Sequence, residues 1–169
     1  MIAATAALTL LLAGQDLIEA DISGSRQWRV AMEGPGGAVA FLPTARSVDT
    51  REVVLITTAW TAGAPGEPAA LSQAFFVHAL DCAAGIQSRT GFGVTDPPPR
   101  RWTPADGPPL SRPTPVPAPI QANTAMAVIA DAVCRDGAPT LPEIEGDWPT
   151  VARTLRQRVE ALRAGTGNP

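Results

Sequence analysis

The chain has 169 residues, of which 45% are apolar and 17% charged, with 18 prolines and 2 cysteines. A chain of this length buries about 70% of its unfolded surface, so its core needs no structural metal or dense disulfide framework. The net charge is −3 and every basic residue is arginine. That balance argues against a polybasic nucleic-acid binder, which depends on many clustered phosphate contacts. One histidine, two cysteines and no lysine or tyrosine leave few of the usual catalytic groups.

Ile2 to Gly14 is apolar, small or threonine throughout and reads as the apolar core of a signal peptide. Cleavage is expected near residue 14 or residue 20, and export would place the mature product in the periplasm, outside the cell or on its surface. No lysine or arginine precedes this core, so a buried N-terminal element is the competing reading. Leu11 to Gly14 resembles the start of a lipobox, but Gln15 stands where that motif needs a cysteine. A soluble product without a lipid is therefore expected. No run approaches the roughly 20 apolar residues of a spanning helix.

From Gln27 onward the periodicity is that of strands. Gln27 to Glu33 and Ala38 to Leu42 flank the turn cluster Gly34, Pro35, Gly36, Gly37, which suits a hairpin. In Arg51 to Thr61, Val53, Leu55 and Thr57 face one way and Val54, Ile56 and Trp60 the other, as in a central strand covered on both sides. Leu71 to Cys82 is the next strand, although a run this short leaves a helix open. Ala83, Ala84 and Gly85 then lead into a strand over Ile86 to Val94. The short connections imply an antiparallel meander.

Pro97 to Pro119 holds ten prolines in 23 residues, which excludes a helix or a central strand there. It reads as a stiff surface loop, with a docking ligand for an aromatic groove as the alternative. Trp102 is expected to pack back onto the sheet.

Helical spacing resumes in Ala122 to Cys134, with Met126, Ile129 and Val133 on one stripe and Asn123 as the cap. After a linker from residue 136, a second helix runs from Trp148 to Arg163. Pro149 sits in its first turn, where a missing donor is harmless, and Gly165 is the expected stop. Trp148, Val151, Leu155, Val159 and Leu162 form its apolar stripe. The opposite face carries Arg153, Arg156, Arg158 and Arg163, a candidate interaction surface or simply a solvated face.

Two cysteines in an exported chain are expected to be oxidised. Cys82 ends a strand and Cys134 ends a helix, so a bridge between them would clamp helix to sheet. The rival role is Cys134 as a nucleophile activated by His78. A dyad of His78 with Cys82 fails within a strand, where four residues span about 13 Å; in a helix the two would be neighbours. Metal binding at His78 would need further ligands that the chain offers only as scattered carboxylates. No phosphate loop, dinucleotide fingerprint, nucleophile elbow or zinc spacing occurs. Glu143 and Glu145 lie in a proline-flanked connection with nothing nearby to raise a carboxyl pKa. No cofactor and no catalytic residue is assigned.

Trp28 opening a strand, the segment PTARSVDTREVVLITTAW, a strand ending in Asp81 and Cys82, and a late helix ending in Cys134 resemble the bacterial surface-adhesin protein E-like family. The likeness spans roughly residues 27 to 135 and reaches Trp28, Asp49, Trp60, Asp81, Cys82 and Cys134 as structural positions. It implies an exported antiparallel sheet with a helix tied to its face by a disulfide, and a non-enzymatic binder of host proteins. The proline-rich insertion, the lack of tyrosine and the segment after Cys134 depart from that pattern.

The expected fold is α+β, with five or six antiparallel strands, a disulfide-linked helix on one face and a C-terminal amphipathic helix. Residues 21 to 135 would form the sheet and first helix, and 136 to 169 the linker and last helix. The expected function is a non-enzymatic envelope protein that contacts an unidentified protein partner. An enzyme or metal protein using Cys134 with His78, and a periplasmic carrier of a small ligand, are the alternatives.

Overall fold

A computed structural model of the chain describes residues 24–46, 50–62, 65–66, 68–95, 114–135 and 140–166. The expectations for the signal segment, Asp49, Trp102 and most of the proline-rich stretch lie outside them. Five long strands follow in chain order: β1 (Arg26–Gly34), β2 (Gly37–Arg46), β3 (Thr50–Thr61), β4 (Ala70–Asp81) and β5 (Ile86–Thr95). Each pairs antiparallel with the next, so they form the expected meander. Leu71 to Asp81 is thus strand, its helical reading is removed, and Cys82 lies one residue past the strand end, in the turn.

Two short edge strands complete a seven-stranded sheet. β6 (Ala118–Pro119) adds to the outer edge of β5, and β7 (Glu143–Gly146) adds to β1. Pro119 is tolerated at such an edge because its missing N–H breaks no ladder. β7 corrects the sequence reading of Glu143 and Glu145 as part of a connection: Ile144, the one large apolar residue of the four, is buried opposite Trp28.

The helices α1 (Ala125–Cys134) and α2 (Trp148–Thr166) lie on opposite faces. The chain leaves one edge of the sheet at β6, crosses one face as α1, joins the far edge as β7, and covers the other face as α2. Thr124, not Asn123, caps α1, its hydroxyl accepting from the Ala127 N–H at 3.2 Å. Asn123 instead takes a left-handed φ of 61°, a conformation that asparagine tolerates better than most residues. At α2, Asp147 Oδ1 accepts from the Thr150 N–H at 3.0 Å, and the helix runs through Gly165 to Thr166.

Alternation along the strands builds two cores. On the α2 side, Val54, Ile56, Phe75 and Trp28 pack with Val151, Leu155 and Val159. On the α1 side, Phe41, Val53, Leu55 and Leu80 pack around Ile129. Burial on both faces is what the two-sided apolar pattern of Arg51 to Thr61 requires. Gln73 is a buried polar exception, 2% exposed, whose Nε2 donates to Thr58 Oγ1 at 2.9 Å and to the Ala152 carbonyl at 2.6 Å. These bonds tie α2 to the sheet and satisfy the donor end of the buried amide. Gly37 lies so close to β3 that a Cβ there would collide with the Thr58 carbonyl.

Candidate functional site

Cys82 and Cys134 form the expected disulfide, with α-carbons 5.5 Å apart. Cys82 sits in the β4–β5 turn, which Asp81 organises: its Oδ1 accepts from the N–H groups of Ala83 and Ala84 at 3.1 and 2.9 Å. Gly85 closes that turn with a φ of 66°, a conformation open to glycine at no steric cost. Its carbonyl accepts from the Ile120 N–H at 2.9 Å, bringing the segment before α1 to the same place. Arg51 adds a second tether, donating from Nε to the Val133 carbonyl at 3.3 Å.

Pinned in this way, α1 stands over the sheet and leaves beside it a cavity of about 430 Å³. Its floor is Val39, Leu55 and Phe76 from the sheet, and its wall is Ala125, Met126 and Ile129 from α1. Val116 and Ala118 contribute from the end of the proline-rich stretch. The polar groups Thr57, His78, Gln87, Arg89 and Thr114 complete this lining. Small-molecule sites characteristically have such a composition.

The β4–β5 register explains the polar cluster. His78 pairs with Arg89, and Leu80 with Gln87, so residues 78, 80, 87 and 89 face the α1 side together. A register shift between Val77 and His78 lies just beyond this pair. The Arg89 guanidinium carbon is 5.7 Å from the centre of the Phe76 ring, and the His78 ring meets the same phenyl edge-on at 6.1 Å. Nδ1 of His78 and Oε1 of Gln87 are buried without a hydrogen-bond partner among the described residues.

Burial holds the His78 imidazole below its ordinary pKa; the Gln87 side chain opposes this and the Arg89 charge adds to it. The folded state therefore favours neutral imidazole. As pH falls through about 6.5, the unfolded chain takes up this proton before the folded one. Stability is thus expected to fall on acidification from that pH down to the lower folded pKa, where this contribution levels off. His78→Gln should flatten this part of a urea-midpoint curve against pH, and an unchanged curve would refute the assignment.

The other residues singled out in the sequence have different surroundings. Cys134 is bonded to Cys82, so His78 has no thiol to activate in this state. Among the described residues, no three His, Cys, Asp or Glu side chains come together to hold a metal. Asp81, Asp131 and Arg135 border a second cavity of about 330 Å³ beside the disulfide. There Arg135 pairs with Asp131 at 3.2 Å.

Three of the four arginines on α2 turn toward the sheet. Arg156 donates to the Leu71 carbonyl at 2.8 Å, Arg158 pairs with Glu33 at 3.5 Å, and Arg163 stacks 4.0 Å above the Trp60 ring. Arg153 is exposed. No helix among the described residues is long and apolar enough to cross a membrane.

No family model, curated protein or solved structure matches this chain. The cavity and its polar cluster must therefore be read on their own chemistry. Sequence reasoning singled out His78 but missed Gln87 and Arg89. Their signal was the Ala83-Ala84-Gly85 turn, which brings the start of β5 back against the end of β4.

Proposed function

We propose that the chain is a non-catalytic binding protein of an oxidising compartment outside the cytosol, and that it takes a small amphipathic molecule in the cavity beside α1. The observation that carries this reading is the cavity itself, about 430 Å³ and apolar on floor and wall, with a few polar side chains in its lining. Ligand pockets of roughly 300–1,000 Å³ have this composition and fix ligand orientation with a few polar groups. The disulfide supports the compartment, because cytosolic thiols are kept reduced.

A protein-binding, adhesin-like role rests on the arginine face and on the family resemblance. With Arg156, Arg158 and Arg163 engaged on the sheet, that face offers less to a partner than the cavity offers to a ligand. An enzyme built on Cys134 and His78 lacks its nucleophile while the disulfide is intact.

The test is titration of the full chain with N-phenyl-1-naphthylamine, a neutral dye that fluoresces in apolar surroundings. Saturable binding at one site is expected, and Ala125→Trp, which fills the space beside α1, should abolish it without lowering the melting temperature. Binding that survives Ala125→Trp would refute the reading. So would binding that emerges only in Trp102→Ala, since the occupant would then be the chain's own tryptophan.

A further inference from the structure

The chemistry of the cavity narrows its ligand further, and this step rests on the binding reading above. Leu55, Phe76, Met126 and Ile129 offer an apolar molecule extensive contact and no hydrogen bonds. His78, Gln87 and Arg89 gather on the β4–β5 side, while Thr57 belongs to β3 and Thr114 to the proline-rich stretch. Directly paired residues such as His78 and Arg89 hold their β-carbons about 5 Å apart, close enough for one head group to meet both. Among the described lining residues, none is aspartate or glutamate, and Arg89 brings a permanent positive charge. Arg89 is exposed, which places its guanidinium at the rim. His78 Nδ1, buried and without a partner among the described residues, can donate a hydrogen bond to an acceptor that enters the same cavity.

We propose that the ligand is a free amphiphile with an apolar body and an anionic head, the body lying against Phe76, Met126 and Ile129 and the head meeting Arg89 and His78. A carboxylate suits this arrangement: it accepts from the guanidinium and from Nδ1, and it leaves no buried donor of its own unsatisfied. An ammonium head would face Arg89 with like charge, and an alcohol would forgo the charge-assisted bond.

Displacement of N-phenyl-1-naphthylamine from the full chain by decanoate, decan-1-ol and decylammonium, below their micellar concentrations, tests this. The three share one body and differ in the head. Decanoate is expected to bind about tenfold more tightly than the alcohol, which is what one charge-assisted hydrogen bond supplies. The preference should shrink as salt is raised, because the rim is open to screening. Arg89→Gln should bring acid and alcohol to parity, and Arg89→Glu should favour decylammonium, each read as the ratio of head-group affinities within one variant so that any change in dye affinity cancels. Both substitutions fall at an exposed position, and an unchanged melting temperature reports that the fold is intact.

Equal affinity for all three heads in the wild type would overturn the anionic assignment and leave the cavity reading standing. Loss of the Ala125→Trp effect would instead remove the cavity reading itself. Attachment to phosphatidylglycerol vesicles without displacement by decanoate would also overturn the proposal, since the source of the anion would then be a bilayer surface.

Discussion

Replacing Cys82 and Cys134 together by alanine is expected to destabilise the fold by about 4 kcal/mol on the chain-entropy account of a crosslink closing a loop of this size. The two residues are 52 apart in sequence, so reduction releases a long segment of the unfolded chain. A loss of that size is a large share of the 5–15 kcal/mol typical of a domain. The urea midpoint should fall accordingly, in the double variant and in the wild type under dithiothreitol alike. The loss should also be felt first in α1. A helix of ten residues is below the roughly 12–15 at which isolated helices become even marginal in water. Ile129, the Arg51 bond and the disulfide are therefore what keep α1 on the sheet. Amide exchange across α1 should accelerate on reduction while that of β3 and α2 changes less. Thiol titration of the denatured, unreduced protein should find no free cysteine. Two free thiols, or a midpoint unmoved by reduction, would contradict this account.

Leu155→Ala is expected to cost about 2–5 kcal/mol, the range for truncating a fully buried leucine, whereas Arg153→Ala should stay within about 0.5 kcal/mol. Leu155 is 0% exposed and packs in the same cluster as Trp28, Val54, Ile56 and Phe75. α2 is thus half of the sheet's covering rather than an attachment to it. The contrast between the two variants, read from urea midpoints, separates a core helix from one kept chiefly as a docking face. Comparable small losses at both positions would mean that α2 is not held as described. The apolar stripe ends earlier than its spacing implies: Leu162 is 41% exposed. The buried run stops at Val159, and the last turns keep contact through Arg163 on Trp60.

The strands that were easiest to recognise are those whose own residues fix their pairing. Gly34, Pro35, Gly36 and Gly37 turn β1 onto β2, and the doubled apolar pattern of β3 demands cover on both faces. β7 carries no comparable signal, because EIEG has one large apolar residue and becomes a strand only by completing the edge beside Trp28. The α1 cap shows a similar limit. Asn123 and Thr124 are both good cap residues, and the choice depends on which of them the incoming chain holds extended.

The order of polar and apolar residues along this chain was enough to specify a meander, two amphipathic helices and a cysteine at the end of both a strand and a helix, since these follow from periodicities of two and 3.6. What lies between α1 and the sheet was decided by the tertiary structure. His78 and Arg89 meet only through strand register, and Phe76 and Met126 face one another only once the disulfide has seated the helix. A cavity is the space left between separately specified elements, so no one of them encodes it.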